Sequence, residues 1–153
     1  MLFLLFELGH ERYALDVRQV AEVLPLLTIK PIPQTPAAVA GVMNFRGVPV
    51  PVIDVSQLTL GRPSQRRLST RIVLVHYPDA EGGTRLLGLI AERATETLRR
   101  EPADFLPSGV TSEGAPYLGP VTPDAGGLLQ WIDVTTLPPP AVRDVLFNPP
   151  KAD

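Results

Sequence analysis

The amino-acid sequence contains no cysteine among its 153 residues, which excludes disulfides, thiolate metal sites and cysteine nucleophiles. It also has no apolar run that approaches the ~20 residues of a membrane-spanning helix. The apolar N-terminal segment is interrupted at Glu7 and shows neither a basic leader nor a small-residue cleavage site, so we interpret it as a strand rather than a signal peptide. These features together lead us to expect a cytoplasmic location, where thiols stay reduced.

The sequence also has no excess of positive charge. The formal net charge is −2, which disfavours nucleic acid as the main partner because phosphate binding needs a basic face. The most basic segment, 62–71, has no aromatic residue between its arginines. This pattern favours a solvated loop over a platform for stacked bases.

The sequence also lacks the motifs of common catalytic sites. It has no G-x-S-x-G elbow, P-loop, G-x-G-x-x-G or H-E-x-x-H segment. His10 falls in a predicted turn and His76 at a strand end, which favours structural or surface roles. The carboxylates occupy turn and cap positions, where they satisfy backbone donors; they are Asp16, Asp54, Glu92 and Asp133. We therefore predict that the protein is not an enzyme and needs no cofactor or metal ion.

Proline, by contrast, is abundant, with 18 residues set between short apolar runs. Many short strands separated by Gly and Pro turns are typical of an all-β barrel or sandwich. The fine division of the strands favours two small barrels over one large sheet. The predicted strands are 2–8, 12–17, 42–46, 48–54, 71–76, 85–90, 117–121 and 128–134.

Three short helices are also predicted. Apolar residues at helical spacing indicate a helix over 17–24, capped by Asp16 and ended by Pro25. Pro36 is expected to open a second helix over 37–40, and helical spacing recurs over 141–147. Because no long linker divides the chain, we expect residues 1–153 to form one domain of two barrel subdomains, with 138–153 as a short helix and tail.

The segment 41–54, GVMNFRGVPVPVID, reads as a hairpin with an arginine at its tip. Side chains alternate along a strand, so Asn44 and Arg46 are expected on the face opposite the core. Gly47 supplies the positive φ that a tight reversal needs. Pro49 and Pro51 remove donors from a single edge, which should be unpaired or bulged. The pattern alone leaves open whether Arg46 meets a partner or is simply solvated, and the same holds for Glu22.

Several sequence blocks resemble the CheW family of chemotaxis coupling proteins. They are YALDV near the N-terminus, the element G-V-x-N-x-R-G-x-x-x-P-V-I-D, and the segments TRIVLV (70–75), LLGLIAE (86–92) and LLQWIDVTTL (128–137). The resemblance covers nearly the whole chain. It implies two five-stranded SH3-like barrels packed about a common hydrophobic centre. It also implies a non-catalytic adaptor that bridges the cytoplasmic tips of chemoreceptors to the regulatory domain of a CheA-type histidine kinase at membrane receptor arrays.

The resemblance further implies a receptor-binding groove between the barrels. Val20 and Ile72 correspond to apolar contacts, and Glu22 and Arg46 to polar determinants of register, with Asn44 beside them. Barrel ends are expected to contact the kinase. Apolar contacts would supply most of the binding energy, while charges tune specificity.

Some positions depart from the family pattern. Pro31 stands where the family commonly has an arginine, Ala91 and Glu92 replace a valine–aspartate pair, and the arginine-rich loop 62–71 is distinctive. These departures concern receptor choice more than fold. A surface-sensing (Wsp-like) or pilus-motility pathway is as consistent with them as swimming.

Two other classes of function remain open from the residues alone. One is a small barrel that binds a small ligand or an oligonucleotide. The other is a small hydrolase, which would need His76 beside a carboxylate and a serine in a concave pocket.

Overall fold

The computed structural model describes residues 1–79 and 81–147. Its strands and helices are mostly short, and one-turn 3₁₀ helices link some of them. The strands are β1 Leu2–Leu8, β2 Glu11–Asp16, β3 Val20–Pro25, β4 Val39–Phe45, β5 Val48–Asp54, β6 Arg71–Pro78, β7 Thr84–Arg99, β8 Leu118–Asp124 and β9 Gly127–Ile132, and the helices are α1 Val55–Leu60 and α2 Pro140–Arg143.

One long strand, β7, builds two sheets. Its first half pairs with β6 and with the end of β5, and β3 and β4 extend this array to five strands. Its second half pairs with β1, which continues through β2 and β9 to β8. The fold is therefore two five-stranded SH3-like barrels, as predicted, and they share one strand. We call the barrel of β3, β4, β5, β6 and the first half of β7 the first barrel, and the barrel of β1, β2, β8, β9 and the second half of β7 the second barrel.

Three hydrophobic clusters fill the molecule, one in each barrel and one between them. Strand β6 shows how a single run of apolar residues can contribute side chains to two of these clusters. Its side chains alternate, so Ile72 and Leu74 enter the first barrel while Val73 and Val75 enter the shared centre. A strand buried on both faces has no polar alternation, which explains the continuous apolar run RIVLV.

The second barrel is filled by aromatic side chains. The Trp131 ring packs edge-on against Phe3, with ring centroids 4.9 Å apart, and Phe105 lies 5.0 Å from Trp131. Edge-to-face pairs at this distance are favourable beyond the area they bury. Both barrel interiors are thus occupied by side chains rather than by a ligand cavity.

The helix predicted over 17–24 is wrong. Only Val17–Gln19 forms a 3₁₀ turn, and Asp16 caps it by accepting the Arg18 N–H at 2.9 Å. The chain then continues as β3, paired with β6. Tertiary pairing outweighs the helical spacing because the β-branched Val20 and Val23 prefer extended backbone and β6 offers a free edge.

Other helix boundaries also differ from the predictions. Residues 37–40 form no helix, since the chain already enters β4 at Val39. Helix α1 was not predicted; Asp54 caps its start and Gly61, with φ of 72°, ends it. The predicted helix 141–147 is shortened to α2, and the last part of the predicted tail, 148–153, lies outside the described residues. Within the part of the chain that is described, no helix is long and apolar enough to cross a bilayer.

Candidate functional site

The tip of the β4–β5 hairpin is a two-residue turn. Arg46 and Gly47 both have positive φ, 51° and 87°, which is the pattern of a type I′ turn. Glycine adopts this conformation freely, whereas an arginine there carries strain. The Asn44 side chain accepts the Gly47 N–H at 2.7 Å and so stabilises the turn. Arg46 is therefore held in the turn itself, rather than on the strand beside Asn44 as predicted.

Arg46 reaches across the barrel surface to β3. Its Nη2 lies 3.3 Å from both carboxylate oxygens of Glu22, and its guanidinium lies 4.7 Å above the Phe45 ring. The Arg46 side chain is still 74% exposed and that of Glu22 36%. An ion pair this open contributes only about 0.2–1 kcal/mol to stability, so both groups remain available to a partner.

Val20 and Glu22 lie on β3, not on a helix. A bulge separates them, because Val20 pairs with Val75 and Glu22 with Leu74, which leaves one extra residue in β3. Val20 is partly buried against the cluster between the barrels. The structure thus brings Glu22 and Arg46 into contact, and Val20 lies two residues before Glu22 on the same strand.

Ile72 is placed differently from the sequence-based expectation. It is fully buried, with 0% of its surface exposed, inside the first barrel. It does not line a groove, and that expectation is corrected. The burial follows from the pairing of β6 with both β3 and β7, which turns Ile72 toward the barrel interior.

A shallow apolar groove, which the sequence analysis missed, runs beside the hairpin. Its volume is about 270 Å³ and its walls include Lys30, Met43, Asn44 and Pro49. Lys30 and Val42 exchange two backbone hydrogen bonds of 2.9 Å, which bring segment 29–31 against β4. A signal for this approach exists in the sequence: Gly41, where an added Cβ would lie 2.0 Å from the Lys30 carbonyl oxygen.

Val48, 56% accessible, follows the turn and lies in the sequence between the groove residues Gly47 and Pro49. We call Glu22, Asn44, Arg46 and Val48 the hairpin surface. It combines two opposite charges, one amide and one apolar side chain, contributed by the two-residue turn and by strands β3, β4 and β5. Such a mixture is typical of protein-binding surfaces, where an apolar centre is bordered by polar groups.

Among the described residues, no cluster of three His, Cys, Asp or Glu side chains is arranged to hold a metal ion. His76 is exposed on β6, and no hydrogen bond joins it to a carboxylate or serine in the described residues. Tyr117 donates or accepts a 2.7 Å hydrogen bond with Thr59, and burial raises its pKa, which keeps the hydroxyl neutral near pH 7.

The shared strand β7, the three clusters and the hairpin surface define a class: proteins built of two SH3-like barrels that share one strand and present an exposed hairpin. Comparison with known proteins then gives the family. The CheW-like domain model matches residues 2–138. The chain belongs to the CheW-like domain family.

Individual relatives agree with this assignment. The chemotaxis protein CheW of Klebsiella aerogenes is 29% identical over 96 residues, which cover 63% of this chain and 55% of that protein. CheW of Treponema pallidum is 26% identical over 138 residues, 86% of this chain and 78% of that protein. The crystal structure of the scaffolding protein TtCheW from Thermoanaerobacter tengcongensis matches with a TM-score of 0.78 and 25% identity, covering 89% of this chain and 86% of that one.

Proposed function

We propose that this protein is a non-catalytic scaffold of bacterial chemosensory signalling, which couples methyl-accepting chemoreceptors to a CheA-type histidine kinase. The observation that supports this most is the hairpin surface. A stiff turn holds Arg46 beside Glu22, next to an exposed valine and an apolar groove. The chain's membership of the CheW-like domain family supports the same function.

Each residue of the hairpin surface has a distinct proposed role. Val48 and the apolar groove supply apolar contact to a receptor tip. Glu22 and Arg46 set the register of that contact, since charges at an interface tune specificity and the rate of approach. Asn44 acts indirectly by stabilising the turn. Val20 contributes the exposed part of its side chain where β3 begins.

The kinase is proposed to bind elsewhere, at the barrel ends, so that both partners are held at once. This arrangement would recruit a cytoplasmic protein to receptor arrays at the membrane. The pathway could be swimming chemotaxis or a specialised surface-sensing or pilus-motility system. Pro31, which follows the groove residue Lys30 in the sequence, departs from the family pattern and is as consistent with a specialised pathway as with swimming.

The alternative of a ligand-binding barrel has less support, because side chains fill both barrel interiors. The hydrolase alternative lacks its proposed grouping around His76 in the described residues.

Removing either charge of the hairpin surface should weaken receptor binding and leave the fold intact. We expect Arg46→Ala and Glu22→Ala each to lower affinity for a receptor cytoplasmic tip about 10-fold, which is a loss of about 1.4 kcal/mol. The urea midpoint should change little because the ion pair is exposed. The measurement is a pull-down and titration against the isolated tip, with circular dichroism to check folding.

Arg85 provides a matched control for this experiment. It is also an exposed arginine that pairs with a carboxylate, Asp79, at 3.1 Å, and its guanidinium also lies near a phenylalanine ring. Arg85→Ala should bind the tip as wild type does. Equal binding by Arg46→Ala, Glu22→Ala and wild type would count against the site.

A further inference from the structure

A polar cavity lies outside the hairpin surface. Its volume is about 200 Å³, and its walls come from the β1–β2 turn, the loop that follows α1, and the middle of β7. Three of the wall residues are arginines, and two are glutamates. We call these five residues the arginine cavity: Arg62, Arg67, Arg93, Glu7 and Glu92.

The charges of the arginine cavity are not balanced. Glu7 forms an ion pair with Arg93, in which Glu7 Oε2 lies 3.1 Å from Arg93 Nε. The Oε1 atom of Glu92 accepts the backbone N–H of Gln65 at 2.6 Å. The side chains of Arg62 and Arg67 form no ion pair with a carboxylate among residues 1–79 and 81–147. The Glu92 carboxylate is therefore the one counter-charge that these wall residues offer to the two guanidinium groups, and three arginines against two glutamates leave an excess of one positive charge.

The loop that carries these arginines is anchored although it is exposed. Ser64 donates its N–H and its hydroxyl to the Asp54 carboxylate, at 2.9 and 2.6 Å. The Thr70 hydroxyl donates to the Gln65 carbonyl oxygen. These contacts fix the loop on both sides of Arg67, so the ordering of the site is largely complete before any ligand arrives.

The other walls also hold their positions. Arg93 has φ of 51° within a strand, at the point where β7 passes from one barrel to the other. Strained backbone of this kind persists only where the surrounding structure enforces it, and such positions cluster at functional sites. On the opposite wall, a Cβ added at Gly9 would lie 3.3 Å from Nη2 of Arg62. The Arg62 guanidinium thus rests against the Gly9 backbone.

We propose that the arginine cavity binds a small phosphate-bearing anion, with Arg62 and Arg67 as its direct ligands and the Arg93–Glu7 pair as the back wall. Guanidinium groups bind phosphate oxygens through pairs of parallel hydrogen bonds. A phosphomonoester is close to dianionic at neutral pH because its second pKa is about 6, and its negative charge suits a cavity whose arginines outnumber its glutamates by three to two. The cavity is several times the ~30 Å³ of one water and below the ~300 Å³ of drug-sized sites, so it suits inorganic phosphate or a small phosphomonoester.

The test is a titration of the full chain with inorganic phosphate and, separately, with glycerol phosphate, at constant ionic strength, followed by amide NMR shifts. We expect saturable shifts in segment 61–70 and at Arg93. Arg67→Gln should weaken binding about 10-fold or more, since a charge-assisted hydrogen bond is lost. Arg67→Lys, which keeps the charge but not the planar fork, should weaken it less. The two phosphate sources are distinguished by which binds more tightly.

Arg66 is the matched control, because it is the neighbouring exposed arginine of the same loop and does not line the cavity. Arg66→Gln should bind phosphate as wild type does. Non-saturable shifts, or equal weakening by Arg66→Gln and Arg67→Gln, would overturn the proposal and show only general attraction to a basic loop. Succinate binding as tightly as phosphate would overturn the phosphate assignment. Receptor binding should be the same in Arg67→Gln and wild type, so this test is independent of the proposed coupling function.

Discussion

Replacing Ile72 with alanine is expected to lower the free energy of unfolding by about 3 kcal/mol, within the range for large-to-small changes at buried aliphatic positions. Ile72 is fully buried and packs in a small cluster with Met43, Val52 and Ile90. The cavity left behind cannot collapse easily, because β6 is hydrogen-bonded on both sides, to β3 and to β7. Urea unfolding followed by circular dichroism measures the change.

Ile32 allows the same substitution at an exposed site. Its side chain is in a loop and the residue is 40% accessible, so Ile32→Ala should cost less than about 1 kcal/mol. The Ile72→Ala protein, studied where it is still folded, should bind the receptor tip nearly as wild type does. If a folded Ile72→Ala variant lost binding with little loss of stability, this result would show that Ile72 contributes directly to receptor binding.

Reversing the charge of Arg46 should have the largest effect on binding. Arg46→Glu is expected to weaken receptor-tip affinity about 100-fold, or about 2.7 kcal/mol, because it places a carboxylate where the partner meets a cation. It also sets two negative charges against each other, since Arg46 Nη2 lies 3.3 Å from the Glu22 carboxylate. Like charges juxtaposed at an interface are strongly unfavourable. Titration calorimetry against the isolated tip measures the change.

The double variant Glu22→Arg with Arg46→Glu separates two explanations of that loss. It restores an ion pair within the molecule but inverts the polarity that the hairpin surface presents. We expect the urea midpoint to return to the wild-type value and the receptor affinity to stay low. Recovery of binding in the double variant would mean that the pair only supports the turn, and that neither charge is read by the partner.

The hairpin of β4 and β5 was predictable because its signals are local. Gly47 marks the reversal, and the two prolines mark an edge: β5 pairs with β7 only from Val52 onward, beyond Pro51. Helix α1 was missed although its signals were present, since Asp54 and Gly61 are ordinary start and stop residues of a helix. The wrong helix prediction over 17–24 has a different cause. This segment becomes a strand because it pairs with the edge of β6, and the sequence of the segment itself does not indicate that pairing.

The site was predictable in part for the same reason. The exposure of Arg46 follows from its place at a turn. The burial of Ile72 does not follow from RIVLV, because a strand with two buried faces gives no indication of which side chains enter which core. The ion pair of Arg46 with Glu22 joins positions 24 residues apart. The arginine cavity needs contact between three segments that are distant in the sequence. Such groupings arise only from the tertiary fold.

The central claim is that this protein binds a receptor and a kinase together and transforms neither. Sedimentation velocity of the purified chain mixed with a chemoreceptor tip and a CheA-type regulatory domain tests it most directly. The account predicts one complex that contains all three components, diminished when the chain carries Arg46→Glu. A chain that binds neither partner, or that binds one only by displacing the other, would contradict it.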